Sequence, residues 1–163
     1  MRKIVLFATI VLFSANIAAF AQDTVADDVK NAAEVATLLN SEDAFKQAGD
    51  CIERGRYDKA IPFLKRVIEI RPDIAQAYFE LGYCYKETEK PELAMVNFKK
   101  TIDLDPVFMP AYMETAMVYA DKGDYKTSLR YAKEAEKLAP EDQDVKGAIL
   151  EIEANMPKQE TEN

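Results

Sequence analysis

Between residues 41 and 142, apolar and small side chains recur at helical spacing, and the whole pattern then recurs with a period of 34 residues. In the best-marked stretch Tyr78, Leu81, Gly82 and Tyr85 fall on one helical face, and Ala94, Phe98 and Pro106 follow. Positions three and four apart stack along a helix, so such spacing marks an amphipathic one. One period later come Tyr112, Thr115, Ala116 and Tyr119, then Ser128, Ala132, Ala135 and Pro140. One period earlier, and more degenerate, come Ala44, Gln47, Ala48 and Cys51, then Ala60, Leu64, Val67 and Pro72. The spacing predicts helix pairs at about 42–54 and 58–70, 75–88 and 91–104, and 109–122 and 125–138. Three units in register describe stacked hairpins, each burying its apolar face against its neighbours. Function is therefore expected on a surface, not in an enclosed catalytic pocket.

Two columns of small residues run through the copies: Ala48, Gly82 and Ala116, and Ala60, Ala94 and Ser128. Small side chains are needed where the two helices of a hairpin cross closely. Gly55-Arg56-Tyr57-Asp58 and Gly123-Asp124-Tyr125 stand where first helices must end, because glycine takes the left-handed backbone that closes a helix. Glu89-Lys90-Pro91-Glu92 fills that place in the middle unit, with Pro91 starting the next helix, where its missing N–H is not needed. Pro62 is the awkward residue, near the first turn of its helix but not at the favoured position.

This series, aromatic-x-x-Leu-Gly-x-x-Tyr, then Ala-x-x-x-Phe, then Pro, resembles the tetratricopeptide repeat. The resemblance covers 41–142, divided as 41–74, 75–108 and 109–142. It implies an all-α fold, a right-handed superhelix of three helical hairpins whose concave face is lined by the first helix of each. It also implies binding of peptides or helices of other proteins, without naming the ligand.

The flanks extend the picture. Gln143 to Asn155 places Val145, Ala148, Ile149 and Ile152 on one stripe, which suits a capping helix within 143–156, followed by a disordered tail at 157–163. Residues 22–40 form a weaker helical linker or cap, with Val25, Val29, Ala32, Ala36 and Leu39 at compatible spacings. Ahead of them, Met1-Arg2-Lys3, the apolar run Ile4 to Phe13 and the small-x-small Ala19-Phe20-Ala21 read as a signal peptide, 1–21, cleaved before Gln22. A retained anchor is the rival, but Ser14 and Asn16 interrupt the run and a cleavage pattern follows it. No cysteine follows the run for lipid attachment. An exported chain, periplasmic or secreted from a bacterium, is the expectation, with no membrane insertion after cleavage.

Loss of Arg2 and Lys3, with no acid, would take the formal charge from −8 to −10. Such a surface repels phosphate backbones and anionic headgroups, which argues against nucleic-acid and membrane-surface partners. The chain has no histidine, so imidazole bases and imidazole-built zinc sites are excluded. Its five glycines are scattered and begin no phosphate-binding loop. Acidic pairs such as Glu42-Asp43 and Glu141-Asp142 sit at segment starts and read as helix N-terminal charges. No cofactor, metal or catalytic constellation is expected, so the chain reads as non-enzymatic. Cys51 and Cys84 lack redox-motif spacing; a bridge between the first two hairpins is conceivable, and free thiols packed as small hydrophobes are favoured because Cys51 takes a core column.

One feature goes beyond fold. A second stripe lies one residue along from the core stripe: Phe79, Tyr83 and Lys86 in the middle unit, Met113, Met117 and Ala120 in the third, and Phe45, Gly49 and Ile52 in the first. If the core stripe faces the partner helix, the second faces the concave wall, where large apolar side chains suit a ligand groove. Phe45, Ile52, Phe79, Tyr83, Lys86, Met113 and Met117 are its candidate lining, with Phe79 and Tyr83 as anchors; the alternative is that they pack between hairpins or lie under 22–40. Family members that hold a chaperone's C-terminal carboxylate use a lysine and asparagine clamp on this face. Here Phe45, Gly49, Phe79 and Tyr83 stand there instead, and Lys86 alone makes no clamp. The expected partner is a peptide or helix with apolar anchors and basic flanks to meet Glu42, Glu53, Glu87 and Asp121. A self-assembling scaffold, its groove filled by its own N-terminal segment or a second copy, and a chaperone of secretion substrates are the other readings.

Overall fold

Helix pairs separated by tight turns account for almost every residue that the computed structural model describes, 40–157. The leader 1–21, the linker 22–40 except its last residue and the tail 157–163 except its first lie outside the described residues. The helices are α1 (40–53), α2 (Tyr57–Ile70), α3 (Ala75–Glu87), α4 (Pro91–Leu104), α5 (Met109–Asp121), α6 (Tyr125–Leu138) and α7 (Gln143–Asn155). No strand occurs among the described residues. From α2 onwards each helix packs on the next in chain order, which is the contact pattern of a stack.

The second helix of every hairpin buries the same three positions: Ala60, Leu64 and Val67, then Ala94, Phe98 and Thr101, then Ser128, Ala132 and Ala135. The two small columns explain how closely the hairpins close. Ala48, Ala60, Ala94, Ala116 and Ser128 have no exposed surface, and a Cβ built on Gly82 would lie 2.7 Å from the Phe98 ring. Serine is tolerated at position 128 because its Oγ donates 2.8 Å to the Ala116 carbonyl across the hairpin.

The ends of the helices repeat as faithfully. Arg71, Asp105 and Ala139, each preceding a proline, donate the final backbone bonds to Val67, Thr101 and Ala135 at 2.7, 2.8 and 3.0 Å. The prolines then have no N–H with which to continue. At the other end Gly55, Glu89 and Gly123 turn the chain with φ of 65°, 57° and 76°. The middle turn thus holds a glutamate in the left-handed region that glycine occupies in the other two. Asp124 caps α6 by accepting from Thr127 N–H at 3.0 Å, and Asp142 caps α7 by accepting from Asp144 and Val145. Pro62 lies inside α2 on an exposed face, where the helix forgoes one backbone donor and runs on.

The last helix, α7, buries Val145, Ile149 and Ile152 against Ala116, Ala132 and Ala135 and closes the stack at that end. Its opposite face, with Leu150, is exposed. Both thiols are free: Cys84 is buried and Cys51 half-buried.

Candidate functional site

The first helices α1, α3 and α5 share a wall, and the side chains one position along from the core stripe open onto it. Ile52 from α1 meets Phe79 and Tyr83 from α3 around a hollow of about 370 Å³. Glu53, Gln76, Glu80 and Glu114 border the same space, so its floor is apolar and its edge acidic. One hairpin on, Met113 and Met117 of α5 face α7 across a second hollow of about 290 Å³, with Ala148 and Ile152 opposite and Asp121 and Glu151 at the edge. Phe45 belongs to neither. It lines a third hollow of about 420 Å³, with Val67, Ile74 and Arg71, towards the start of the stack.

The candidate side chains differ in what they already touch. Phe79 packs against Phe98 and Phe108, ring centroids 5.7 and 5.0 Å away, so much of it is spent between hairpins. Tyr83 stands edge-on to Tyr57 at 5.9 Å, and burial, followed by the nearby Glu87 carboxylate, raises its phenol above the usual range. Met117 is 47% exposed, the openest of the group. Lys86 donates 2.7 Å to Glu114 across the gap between α3 and α5 and lies 4.9 Å from the centre of the Tyr83 ring. Its charge is thereby taken up within the wall.

Two acids that the sequence reading passed over prove central. Glu80 and Glu114 are one period apart, and both point at the central hollow. Glu80 Oε1 accepts from Gln76 Nε2 at 3.0 Å, while Oε2 is buried without a hydrogen-bond partner among the described residues. Burial pushes this carboxyl above its ordinary range, against the opposing pull of Gln76. The recurrence of glutamate directly after Ile52, Phe79 and Met113 was the available signal. Of the four acids expected to meet a partner, Glu53 lines the central hollow, Asp121 the second and Glu42 the third, while Glu87 stands 3.8 Å from Lys86.

Among the described residues no cluster of three or more histidine, cysteine or acidic side chains is arranged to hold a metal, and no helix is long and apolar enough to cross a membrane. What the wall offers is apolar floors, carboxylate edges and one cation already engaged.

A "TPR repeat" profile matches residues 50–89 and a "Tetratricopeptide repeat" profile matches 75–108 and 110–142, together more than half of the chain. The chain belongs to the tetratricopeptide-repeat family. Among curated proteins it is 29% identical over 110 residues to serine/threonine-protein phosphatase 5 of Rattus norvegicus, a match covering 68% of this chain. That match covers only 22% of the phosphatase, so this chain spans about a fifth of its relative's length. Among solved structures, MamA is similar with a TM-score of 0.68 at 21% identity, covering 71% of this chain and 63% of that one. The second TPR domain of human RPAP3, solved in complex with the HSP70 peptide SGPTIEEVD, matches with a TM-score of 0.68 at 16% identity, covering 72% and 98%. Identities this low carry the fold, an all-α stack of tetratricopeptide hairpins, and nothing finer.

Proposed function

We propose that this chain is an exported, non-enzymatic interaction module that takes a peptide or helix of a partner protein along its concave wall. The observation that carries the reading is the central hollow, where Ile52, Phe79 and Tyr83 from two hairpins form one apolar floor opening onto the first-helix wall. Apolar floors of this kind suit anchor residues at helical or extended spacing. The peptide-bound RPAP3 domain supports peptide binding as a mode available to the fold. Its acidic peptide does not carry over, because Glu53, Glu80 and Glu114 border this hollow and Lys86 is paired.

Site-specific photo-crosslinking in cells expressing the full chain tests the groove. Crosslinkers at Tyr83 and Met117 should capture a shared partner that a crosslinker at Val96, 66% exposed on α4, does not. Identical capture from all three positions would remove the groove from consideration, and capture only of a second copy of the chain would replace it with self-assembly. Export is tested by the mass of the accumulated protein: a chain beginning at Gln22 outside the cytoplasm is expected, and full-length protein retained inside overturns it.

A further inference from the structure

We infer that the segment bound in the central hollow presents a basic side chain, arginine or lysine, to Glu80, next to the apolar residue that fills the floor. This rests on the groove reading and adds the chemistry of the partner. Glu80 follows Phe79 on α3, at the junction of floor and edge. One of its oxygens is held by Gln76 and the other is buried with no hydrogen-bond partner among the described residues. A carboxylate oxygen removed from water and left unpaired is an unfavourable arrangement that an incoming donor relieves.

No cation among the described residues relieves it. Lys86 is held by Glu114 at 2.7 Å and by the Tyr83 ring, and no lysine or arginine lines the hollow. Glu53 from α1 and Glu114 from α5 share the space with Glu80, so the field there attracts positive charge and repels carboxylates. An uncharged segment could fill the floor and even donate to Glu80, yet it would bring no counter-charge to the three carboxylates gathered there. A guanidinium answers both needs, since its planar fork can pair with a carboxylate while its stem lies along Tyr83. The second hollow has the same character, with Asp121 and Glu151 at the edge and no cation lining it.

A random dodecapeptide library displayed on phage and selected on the full chain, on Glu80→Gln and on Tyr83→Ala tests this. Peptides enriched on the native chain should carry arginine or lysine within a turn of a large apolar residue. Selection on Glu80→Gln should keep the apolar preference and lose the basic one. The best native-selected peptide should bind Glu80→Gln about tenfold more weakly, as should its arginine-to-citrulline form on the native chain. The two changes together should cost little more than either alone. Enrichment of apolar peptides without basic residues, abolished by Tyr83→Ala, would overturn the inference and leave the groove standing. Peptides indifferent to Tyr83→Ala, or no enrichment at all, would overturn both. Glu80→Gln removes a buried unpaired charge, so equal or higher thermal stability confirms that the variant compared is folded.

Discussion

Replacing Gly82 by alanine puts a methyl group where α3 crosses α4. Its carbon would lie 2.7 Å from both Cδ1 and Cε1 of Phe98 and 3.2 Å from the Ala94 carbonyl oxygen. Carbon atoms sit comfortably about 3.5–4.0 Å apart, so the ring must retreat by roughly 1 Å. It has little room to do so, because Phe98 is fully buried and Phe79 packs against it at 5.7 Å, itself backed by the tilted ring of Phe108 at 5.0 Å. Overpacking costs about 1–3 kcal/mol and a ring this confined belongs in the upper part, about 2–3 kcal/mol; alanine returns about 1 kcal/mol of helix propensity, leaving a net loss of about 1–2 kcal/mol. Gly147 is the internal control: it too lies mid-helix, in α7, but nothing approaches within 4 Å of its added Cβ. There alanine should stabilise by about 0.5–1 kcal/mol. Urea unfolding followed by circular dichroism, with slopes compared as well as midpoints, measures both. Gly82→Ala at or above native stability would refute the close crossing. If the clash is the cause, Phe98→Leu should cost less in the Gly82→Ala background than alone.

Three further predictions come from single atoms. Glu89→Gly should stabilise by about 0.5–1 kcal/mol in the same urea assay, because φ of 57° strains a residue with a Cβ; a loss of stability would mean that the Glu89 side chain does more than turn the chain. The raised carboxyl of Glu80, faced by Gln76 on its own helix, Glu53 from α1 and Glu114 from α5, favours the protonated folded state. Its stabilisation is therefore complete below the unfolded value of 4.5 and is lost as pH rises through the folded one, so native stability should fall against Glu80→Gln over that interval; parallel pH curves would contradict this. Burial, with Glu80 and Cys51 next in order, pushes the Cys84 thiol up to about 12, so near pH 8 roughly one molecule in ten thousand carries its thiolate. Iodoacetamide should modify Cys84 only after unfolding, and native-state modification at the rate of a free thiol would sink that assignment.

The fold was legible because its determinants are local and repeated. Every second-helix core residue, every small crossing residue and every terminating proline recurs at 34, so a weak signal in any one copy is read three times. Observed helix ends lie within two residues of the spacing-derived ones, as with α3 at Ala75–Glu87 against 75–88. The same period explains Glu89, whose left-handed backbone follows from standing 34 residues from Gly55 and from Gly123. The acidic edge of the hollow was less legible. Glu53, Glu80 and Glu114 come from three different helices, and each alone resembles the solvated face of a charged helix. Only the stack shows that they converge and that Lys86 is consumed by one of them.

The groove stripe itself divides into two kinds of position, which changes what mutagenesis there can reveal. The earlier residue of each pair lies deep enough to join the packing between hairpins: Phe79 wedges between Phe98 and Phe108, and Met113 packs on the core around Ala116. The later residue sits one helical turn on, with Tyr83 lining the hollow edge-on to Tyr57 and Met117 nearly half exposed. A change at Phe79 removes aromatic contacts that hold α3 to α4 and to the residues leading into α5, so lost binding would be confounded with lost stability. A change at Tyr83 or Met117 alters the wall with far less effect on the stack. Under the proposed groove reading, affinity should therefore follow the later positions at near-constant stability, while the earlier positions move both together. Measuring peptide affinity and urea midpoint for Phe79→Leu, Tyr83→Leu and Met117→Ala separates the two classes. An affinity loss confined to the variant with lowered stability would mean that the apolar wall exists to hold the hairpins together rather than to hold a partner.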